Sequence, residues 1–426
     1  MNQIERIALM PGVWLSYLQT DKFKTDYVSL NLLRPLREDE ASLGALLPSV
    51  LMRGTAAHPD MQSICACLDT LYGAGFDAIS RKKGEVQILG FYMDFIDDAL
   101  SPDGSAVVLP SLQFLGEVLL HPLLEDGLLR ADFVESEKVN LINAIESQIN
   151  DKRAWATKRL VDIMFAGEPY RVSRLGEAER VQAIDAAALT AYWRHVLAHS
   201  EIELYFAGRA PLELVRRGLT EALDGLPRGG TDAYGTSVNS RVAQLRECGE
   251  TMDVTQGKLV MGLRTPDTGA SPDYPALAMC NAVFGGSVTS KLFVNVREAM
   301  SLCYYASSGL EKFKGVMLVS AGVDSENYET ARDAILRELE ACRAGEISGE
   351  ELESARRYLV SALQAAEDAP GRLDDYYLGQ QLLGVDCSPS ELIDRINAVQ
   401  REDVAAAARR LALDTIYFIR GGKEHA

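Results

Sequence analysis

Apolar and polar residues alternate along this chain with two different periods, one typical of strands and one typical of helices. Short apolar or alternating runs predict strands at 13–18, 26–33, 86–92, 202–207, 258–264, 316–323 and 415–420. Apolar positions that recur every three or four residues predict helices at 61–72, 111–120, 130–150, 154–166, 186–198, 213–226, 274–284, 328–344, 348–368 and 402–411. The strands come in hairpin-like groups with helices between them, which predicts an α+β fold with antiparallel-rich sheets.

The second half of the chain repeats elements of the first half. The Glu353-Ser354 pair follows Glu135-Ser136 by 218 positions, in a similar helical segment. Both halves end with a helix, an apolar strand and a glycine, which is Gly208 in the first half and Gly421 in the second. A repeat of this length indicates duplicated domains rather than a solenoid.

The length and the local composition suggest where the two domains meet. A chain of 426 residues is longer than one ordinary hydrophobic core would hold. Gly, Pro, Ser and Thr dominate the stretch around 227–240, where no apolar period persists. We therefore predict an N-terminal domain at 1–226, a linker at 227–240 and a C-terminal domain at 241–426, with the two domains homologous.

Composition disfavours several classes of partner. The chain has 43 Lys and Arg against 61 Asp and Glu, and its net charge of −18 disfavours binding to nucleic acid. No apolar run approaches the roughly 18 residues of a membrane span, and no signal peptide is visible. Seven irregularly spaced Cys fit free thiols in a reducing compartment. We expect a cytoplasmic protein with no nucleic-acid or membrane partner.

Several short motifs occur in a characteristic order. The segment 43–55, LGALLPSVLMRGT, is an apolar helical stretch followed by an Arg-Gly-Thr turn. Later the chain contains FAGEPY at 165–170, and FGG, SKLF, VRE and LCY in order over 284–304. Together these motifs resemble the pitrilysin/insulinase (inverzincin) family of zinc metallopeptidases over nearly the whole chain. The resemblance implies two homologous α+β domains that form half of a clamshell.

The resemblance also implies that the metal site has been lost. Family members bind zinc through H-x-x-E-H on one helix and a Glu on a later helix. The matching positions here are Ala45, Pro48, Ser49 and Ala144, which offer neither a zinc ligand of the usual kind nor a base. We therefore expect no metal, no cofactor and no catalytic residue. We also expect the helix to begin or bend at Pro48, because proline lacks an N–H and crowds the preceding turn.

The resemblance implies a substrate-binding role for Arg297 and Tyr304. Family members use an Arg and a Tyr seven residues apart to bind the substrate backbone, and the phenol helps to stabilise the tetrahedral intermediate. This chain keeps that spacing. The residues alone also fit a surface helix carrying Arg297 and Glu298 before a strand. Ser301 stands where the family usually has Gly, so the turn before Leu302 differs from the family pattern.

Two other motifs have simpler explanations than a functional site. His195 and His199 lie one helical turn apart, but no acidic residue stands between them, and their place at a helix end favours a dipole-stabilised cap. Gly285-Gly286 lacks the Gly-Lys-Ser/Thr of a phosphate loop and suits a helix C-terminal turn with positive φ.

The loss of the metal ligands, together with the retention of Arg297 and Tyr304, predicts a catalytically inactive peptidase homologue. Our first hypothesis is a subunit that binds peptide and completes the active site of a zinc-bearing paralogous partner in a heterodimer; self-association into a homodimer stays open. The alternative is a structural or scaffold subunit without peptide chemistry. A third hypothesis, an active metalloendopeptidase with unrecognised ligands, can be tested by metal analysis.

Overall fold

The computed structural model describes residues 4–422 and shows an α+β protein. Its strands are β1 Glu5–Met10, β2 Val13–Gln19, β3 Thr25–Pro35, β4 Gly75–Lys83, β5 Val86–Ile96, β6 Leu124–Glu125, β7 Leu128–Leu129, β8 Glu201–Gly208, β9 Arg246–Met252, β10 Gly257–Arg264, β11 Cys303–Glu311, β12 Val316–Val323 and β13 Ala412–Gly421. Its α-helices are α1 Ala41–Leu51, α2 Met61–Thr70, α3 Val108–Leu120, α4 Ala131–Glu146, α5 Lys152–Met164, α6 Ala178–Gln182, α7 Ala186–His199, α8 Leu212–Ala222, α9 Tyr274–Asn281, α10 Tyr328–Ala344, α11 Gly349–Ala366, α12 Pro370–Leu383, α13 Pro389–Ala398 and α14 Arg401–Arg409. Two π-helical segments, Ala282–Gly286 and Leu292–Ala299, follow α9. Every strand and helix expected from the hydrophobic pattern overlaps one of these elements.

The two larger sheets confirm the expected α+β fold with antiparallel-rich sheets. One sheet has the strand order β1-β2-β8-β3-β5-β4, and the other has the order β11-β12-β10-β13-β9. Among the described strands of each sheet one neighbouring pair is parallel, β2 with β8 and β9 with β13. Beyond that pair, each sheet continues with three antiparallel neighbours, which are β3, β5 and β4 after β8, and β10, β12 and β11 after β13. β1 is an additional strand at the edge of the first sheet. No helix within residues 4–422 is both long and apolar enough to cross a membrane.

The chain forms two compact units, and each unit is assembled from separate segments. The first unit contains residues up to 146, 172–235 and 370–378, and the second contains 147–171, 236–369 and the residues from 379 onward. The change of unit at 235–236 falls inside the expected linker. Unlike the continuous domains expected above, the units exchange two segments. We keep the division at 227–240 as a proposal about the duplicated halves.

The exchanged segments contain helices that correspond to each other. Segment 147–171 carries α5, and segment 370–378 is the first part of α12. α12 begins 218 positions after α5, which is the offset that separates the two Glu-Ser pairs of the sequence repeat. Arg81 of β4 holds the first part of α12 in the first unit, since its guanidinium lies 3.2 Å from the buried Asp374 carboxylate and 3.1 Å from that of Asp375.

Helices cover both faces of the sheet in the first unit. One face packs against α1, α3, α7 and α8 in a large apolar core. On the other face Leu373 of α12 packs with Leu18 and Tyr205. The inner strands β3 and β5 are therefore buried along most of their length.

In the second unit α5 lies across one face of the sheet. Its residues Ala156, Leu160 and Met164 pack against Val260 and Tyr417 in a separate core. Gly262 of β10 lies beneath the helix, where a Cβ atom would overlap the Met164 sulfur. The absence of a side chain at that position therefore lets α5 approach the sheet closely.

α1 passes through Pro48, so the expectation that the helix begins at Pro48 is wrong. It begins at Ala41, and the amide of Met52 still donates to the Pro48 carbonyl at 3.1 Å. Most residues of α1 are buried in the apolar core. This burial offsets the cost of a proline inside a helix, about 3 kcal/mol. A bend at Pro48 stays a prediction.

Candidate functional site

Three of the four positions equated with zinc-site residues border one cavity in the first unit. The cavity has a volume of about 330 Å³ and is bordered by α1, β4 and α4. Ala45 and Ser49 line it from α1, and Ala144 lines it from α4, whereas Pro48 is not a lining residue. Two helices therefore present these positions to the same space, one helical turn apart on α1.

The polar groups around this cavity do not form a metal-binding set. Glu137 lines the cavity, but its carboxylate lies 3.3 Å from Arg53 Nη1 and accepts a hydrogen bond from Asn140 Nδ2 at 3.1 Å. Arg174 Nη1 donates to the Ser80 carbonyl at 2.7 Å on the same wall. Within residues 4–422 no group of three or more His, Cys, Asp or Glu side chains could hold a metal ion. A catalytic zinc needs three protein ligands, so these residues do not fit it.

Glu137 and Arg174 also line this cavity, and the sequence motifs did not mark either of them. Glu137, Asn140, Leu141 and Ala144 recur at helical spacing on α4, so that a single face of the helix meets the cavity. That spacing was the available signal for Glu137. Arg174 lies in a turn between α5 and α6, and no local pattern marked it.

The two histidines of α7 contact the neighbouring segment 230–232. His195 Nε2 lies 3.1 Å from the Asp232 carboxylate and 3.0 Å from Arg34 Nη2. His199, the last residue of α7, makes a 3.0 Å contact from Nδ1 to the Gly230 carbonyl. Together with the fully buried Arg34, these contacts tie the chain at 230–232 to the first unit.

Arg297 and Tyr304 are brought together in the second unit. Arg297 lies on the π-helical segment Leu292–Ala299, and its Nε donates to the Tyr304 carbonyl at 3.0 Å. Its Nη1 lies 3.3 Å from the Glu298 carboxylate, and the guanidinium stands 4.4 Å from the centre of the Phe293 ring. The guanidinium is thus held on three sides, at 35% exposure of the side chain.

Tyr304 is exposed because it occupies a β-bulge. Cys303 pairs with Val323 and Tyr305 pairs with Gly322, which leaves Tyr304 as an extra residue on β11. A bulge redirects the side chain of the extra residue. The Tyr304 side chain is 72% exposed. The turn before it contains Ser301 at φ +52°, a left-handed conformation that favours the Gly usual in the family.

Gly285-Gly286 does end a helical segment, as expected, but the expected positive φ is wrong. Neither residue has a positive φ; the segment is π-helical and continues from α9. The glycines are needed for close packing instead. A Cβ at Gly285 would lie 2.7 Å from the Ser308 amide nitrogen, and a Cβ at Gly286 would lie 2.5 Å from Asn281 Nδ2.

The fold and these two regions define a metallopeptidase-like protein whose metal-binding positions lack ligands. A model of the Peptidase M16 inactive domain matches residues 183–359. The probable inactive metalloprotease YmfF of Bacillus subtilis is 31% identical over 413 residues, which cover 96% of this chain and 96% of YmfF. The chain belongs to the M16 peptidase family, and the relatives it resembles include proteins described as inactive.

Solved structures support the same assignment of the fold. A conserved protein from Enterococcus faecalis V583 superimposes with a TM-score of 0.91 at 28% identity, over 99% of this chain and 100% of that protein. The peptidase M16 inactive domain from Pseudomonas fluorescens superimposes with a TM-score of 0.82 at 17% identity, over 98% of each chain. These similarities cover 98–99% of this chain.

Proposed function

We propose that this protein is a non-catalytic peptidase subunit that binds peptide and completes the active site of a zinc-bearing paralogous partner. The observation that carries the proposal is the placement of Tyr304. The bulge and the bond from Arg297 hold its backbone, while the phenol is 72% exposed. A fixed phenol can donate to the oxyanion of a partner's reaction, which contributes roughly 3 kcal/mol in comparable sites.

The cavity in the first unit supports peptide binding. Ala78 and Ser80 line it from β4, which is an edge strand of its sheet. An extended peptide can add to such an edge through main-chain hydrogen bonds and place alternate side chains in adjacent pockets. The Ser80 carbonyl already accepts from Arg174, so a bound peptide would pair with other groups of β4.

The lost ligands favour a heterodimer over a homodimer for this role. Two copies of the chain would present Ala45, Ser49 and Ala144 twice and supply no metal ligand at those positions. A partner that keeps H-x-x-E-H would supply the zinc and the base. The assembly would act in the cytoplasm.

Reconstitution with a zinc-bearing M16 paralogue from the same genome tests the proposal. The two chains should co-elute in gel filtration and cleave a quenched-fluorescent peptide. We expect Tyr304→Phe to lower kcat by about 100-fold while the complex stays intact. Tyr358→Phe is the matched control, because Tyr358 is 46% exposed on α11. An unchanged rate in Tyr304→Phe, with the complex intact, would contradict the composite site.

A scaffold subunit without peptide chemistry is the second candidate. The observation that favours it is the state of Arg297, whose guanidinium is already engaged by Tyr304, Glu298 and Phe293. Hydrogen-exchange measurements of the pair with and without an uncleavable peptide separate the two candidates. Protection around 297–305 supports peptide binding, and a peptide that protects no segment of either chain supports the scaffold.

A further inference from the structure

A group of polar side chains shares one face of the sheet in the second unit. Tyr305 pairs across the sheet with Gly322, and Gly322 pairs with Lys258 on the next strand. Two residues further along, Ser307 pairs with Ser320. Side chains two residues apart on a strand point to the same face. Tyr305 and Lys258 therefore lie in one row across β11, β12 and β10, and Ser307 and Ser320 lie in the adjacent row on β11 and β12.

Two cations lie over Tyr305 on this face. The Arg153 guanidinium, from the first turn of α5, is 4.2 Å from the ring centre, and Lys258 Nζ is 5.8 Å from it. Arg153 Nη2 donates to Ser307 Oγ at 2.9 Å. Burial lowers the pKa of Lys258, and repulsion from Arg153 lowers it further. An anion between the two cations would relieve that repulsion.

The charged side chains near this face would balance one negative group on a ligand. Asp151 is the acid that acts on Lys258, and it also caps α5 by accepting from the amides of Arg153 and Ala154, at 3.0 Å each. The formal charges of Arg153, Lys258 and Asp151 leave one net positive charge. The net charge of −18 on the whole chain disfavours a polyanion at this face.

Three hydrogen-bond donors on this face lack acceptors. Tyr305 Oη, Ser320 Oγ and Gln256 Nε2 are buried, and none has a hydrogen-bond partner within residues 4–422. The Ser320 hydroxyl is close enough to Tyr305 to oppose the rise of its pKa, which burial causes, but the two groups do not meet hydrogen-bond geometry. Gln256 Oε1 accepts from Lys258 Nζ at 3.1 Å, so the amide is oriented with its donor end away from the lysine. Unsatisfied buried donors are unfavourable, and these three groups are available to bind an acceptor.

We propose that this face of the second unit is a carboxylate-binding site. Arg153 and Lys258 supply the charge, and the free donors of Tyr305, Ser320 and Gln256 supply the hydrogen bonds. A carboxylate suits this set, because its two oxygens accept up to about four hydrogen bonds and carry one charge. The C-terminus or an acidic side chain of a peptide would provide the group, and in that respect the site rests on the proposed function.

Titration of the isolated full-length chain tests the site without a partner subunit. The probes are N-acetylalanylalanine, its C-terminal amide, acetate and inorganic phosphate, each followed by ligand-observed NMR. We expect the dipeptide acid and acetate to bind saturably and the amide not to bind. Tyr305→Phe and Lys258→Gln should each weaken the binding of the acid about tenfold or more. Tyr358→Phe, at an exposed tyrosine of the same unit, should leave it unchanged.

The possible outcomes separate this site from the proposed function. Equal binding of acid and amide, or binding insensitive to Tyr305→Phe in a variant with an unchanged melting temperature, would overturn the site and leave a hydrated structural cluster. Tighter binding of phosphate than of either carboxylate would also overturn it. Binding of acetate but not of the dipeptide would support the carboxylate site while assigning it to free small acids. Peptidase assays of the reconstituted pair report on Tyr304 and do not enter this test.

Discussion

Replacing the lost ligands should convert the cavity of the first unit into a zinc site. The variant combines Ala45→His, Ser49→His and Ala144→Glu and leaves Pro48 unchanged, so that metal binding alone is tested. Positions 45 and 49 are about 6 Å apart along the axis of α1, on one face of the helix. All three positions line the same cavity. Two imidazoles and a carboxylate could therefore reach one metal at about 2.0–2.2 Å.

The expected magnitudes follow from burial and ligand number. Without metal the variant should lose about 1–3 kcal/mol of stability, because Ala45 is only 6% exposed and an imidazole there would lack a partner. Structural zinc sites bind with about 10–16 kcal/mol, and a site with three ligands should retain about 8 kcal/mol, a Kd near 1 μM. At a 100-fold excess over that Kd, zinc should stabilise the variant by about 2.7 kcal/mol. Zinc would then restore about what the substitutions remove.

Calorimetric titration with zinc and zinc-dependent thermal denaturation measure these effects. The wild type and the variant with only the two histidines are the controls, and both should bind far more weakly. If the triple variant folds and gains no zinc affinity over the controls, then α1 and α4 do not hold these positions as a ligand set. The alignment of positions 45, 49 and 144 with the zinc ligands of the family would then be wrong.

Three further predictions concern stability. Burial raises the pKa of Asp26 to about 6, so the folded state holds this proton more tightly than the unfolded state. The stability that this proton contributes is present below about pH 4 and is lost as the pH rises through 6. Asp26→Asn should abolish this decrease in the free energy of unfolding, roughly 1–3 kcal/mol between pH 4 and 7, as measured by denaturant titrations. An unchanged decrease in the variant would contradict the assignment to Asp26. Arg264 is 3% exposed and its Nε lies 2.6 Å from the Asp414 carboxylate. Arg264→Met should therefore destabilise the second unit by about 3–5 kcal/mol in chemical denaturation, and a loss below 1 kcal/mol would show that the pair is dispensable. Arg34 Nη1 lies 2.7 Å from the Asp232 carboxylate, so Asp232→Asn should speed hydrogen exchange in the segment that carries it at least about fivefold, whereas equal exchange would mean that other contacts hold the segment.

The hydrophobic pattern predicted the inner strands and missed the edges. The strands that it missed in the two larger sheets are β1, β4, β9 and β11, which are the four edge strands. β9 alternates half-buried and exposed residues, whereas β3 is buried almost throughout. An edge strand pairs on one side only, and its charged residues, which discourage association, also hide its apolar signal. Local sequence therefore predicts strands that are buried on both faces far better than strands at an edge.

The same distinction applies to the candidate sites: some of their residues can be placed from local sequence, and others depend on contacts between distant parts of the chain. Helical spacing was enough to place Ala45, Ser49 and Ala144 on helix faces. The bulge at Tyr304 depends on how β11 pairs with β12, and the polar face around Tyr305 requires β10 and α5 as well. No local period encodes those pairings. The roles of Arg297 and Tyr304 in binding substrate stay predictions.

The exchange of α5 and the first part of α12 has a consequence for synthesis of the protein. The first unit needs residues 370–378, which leave the ribosome only after most of the chain has been made. Its N-terminal portion must therefore wait, with the face that Leu373 later covers still exposed to water. A nascent chain in this state is a natural client for chaperones. For the same reason, two fragments made by cleavage at 235 would each lack a helix that the other carries.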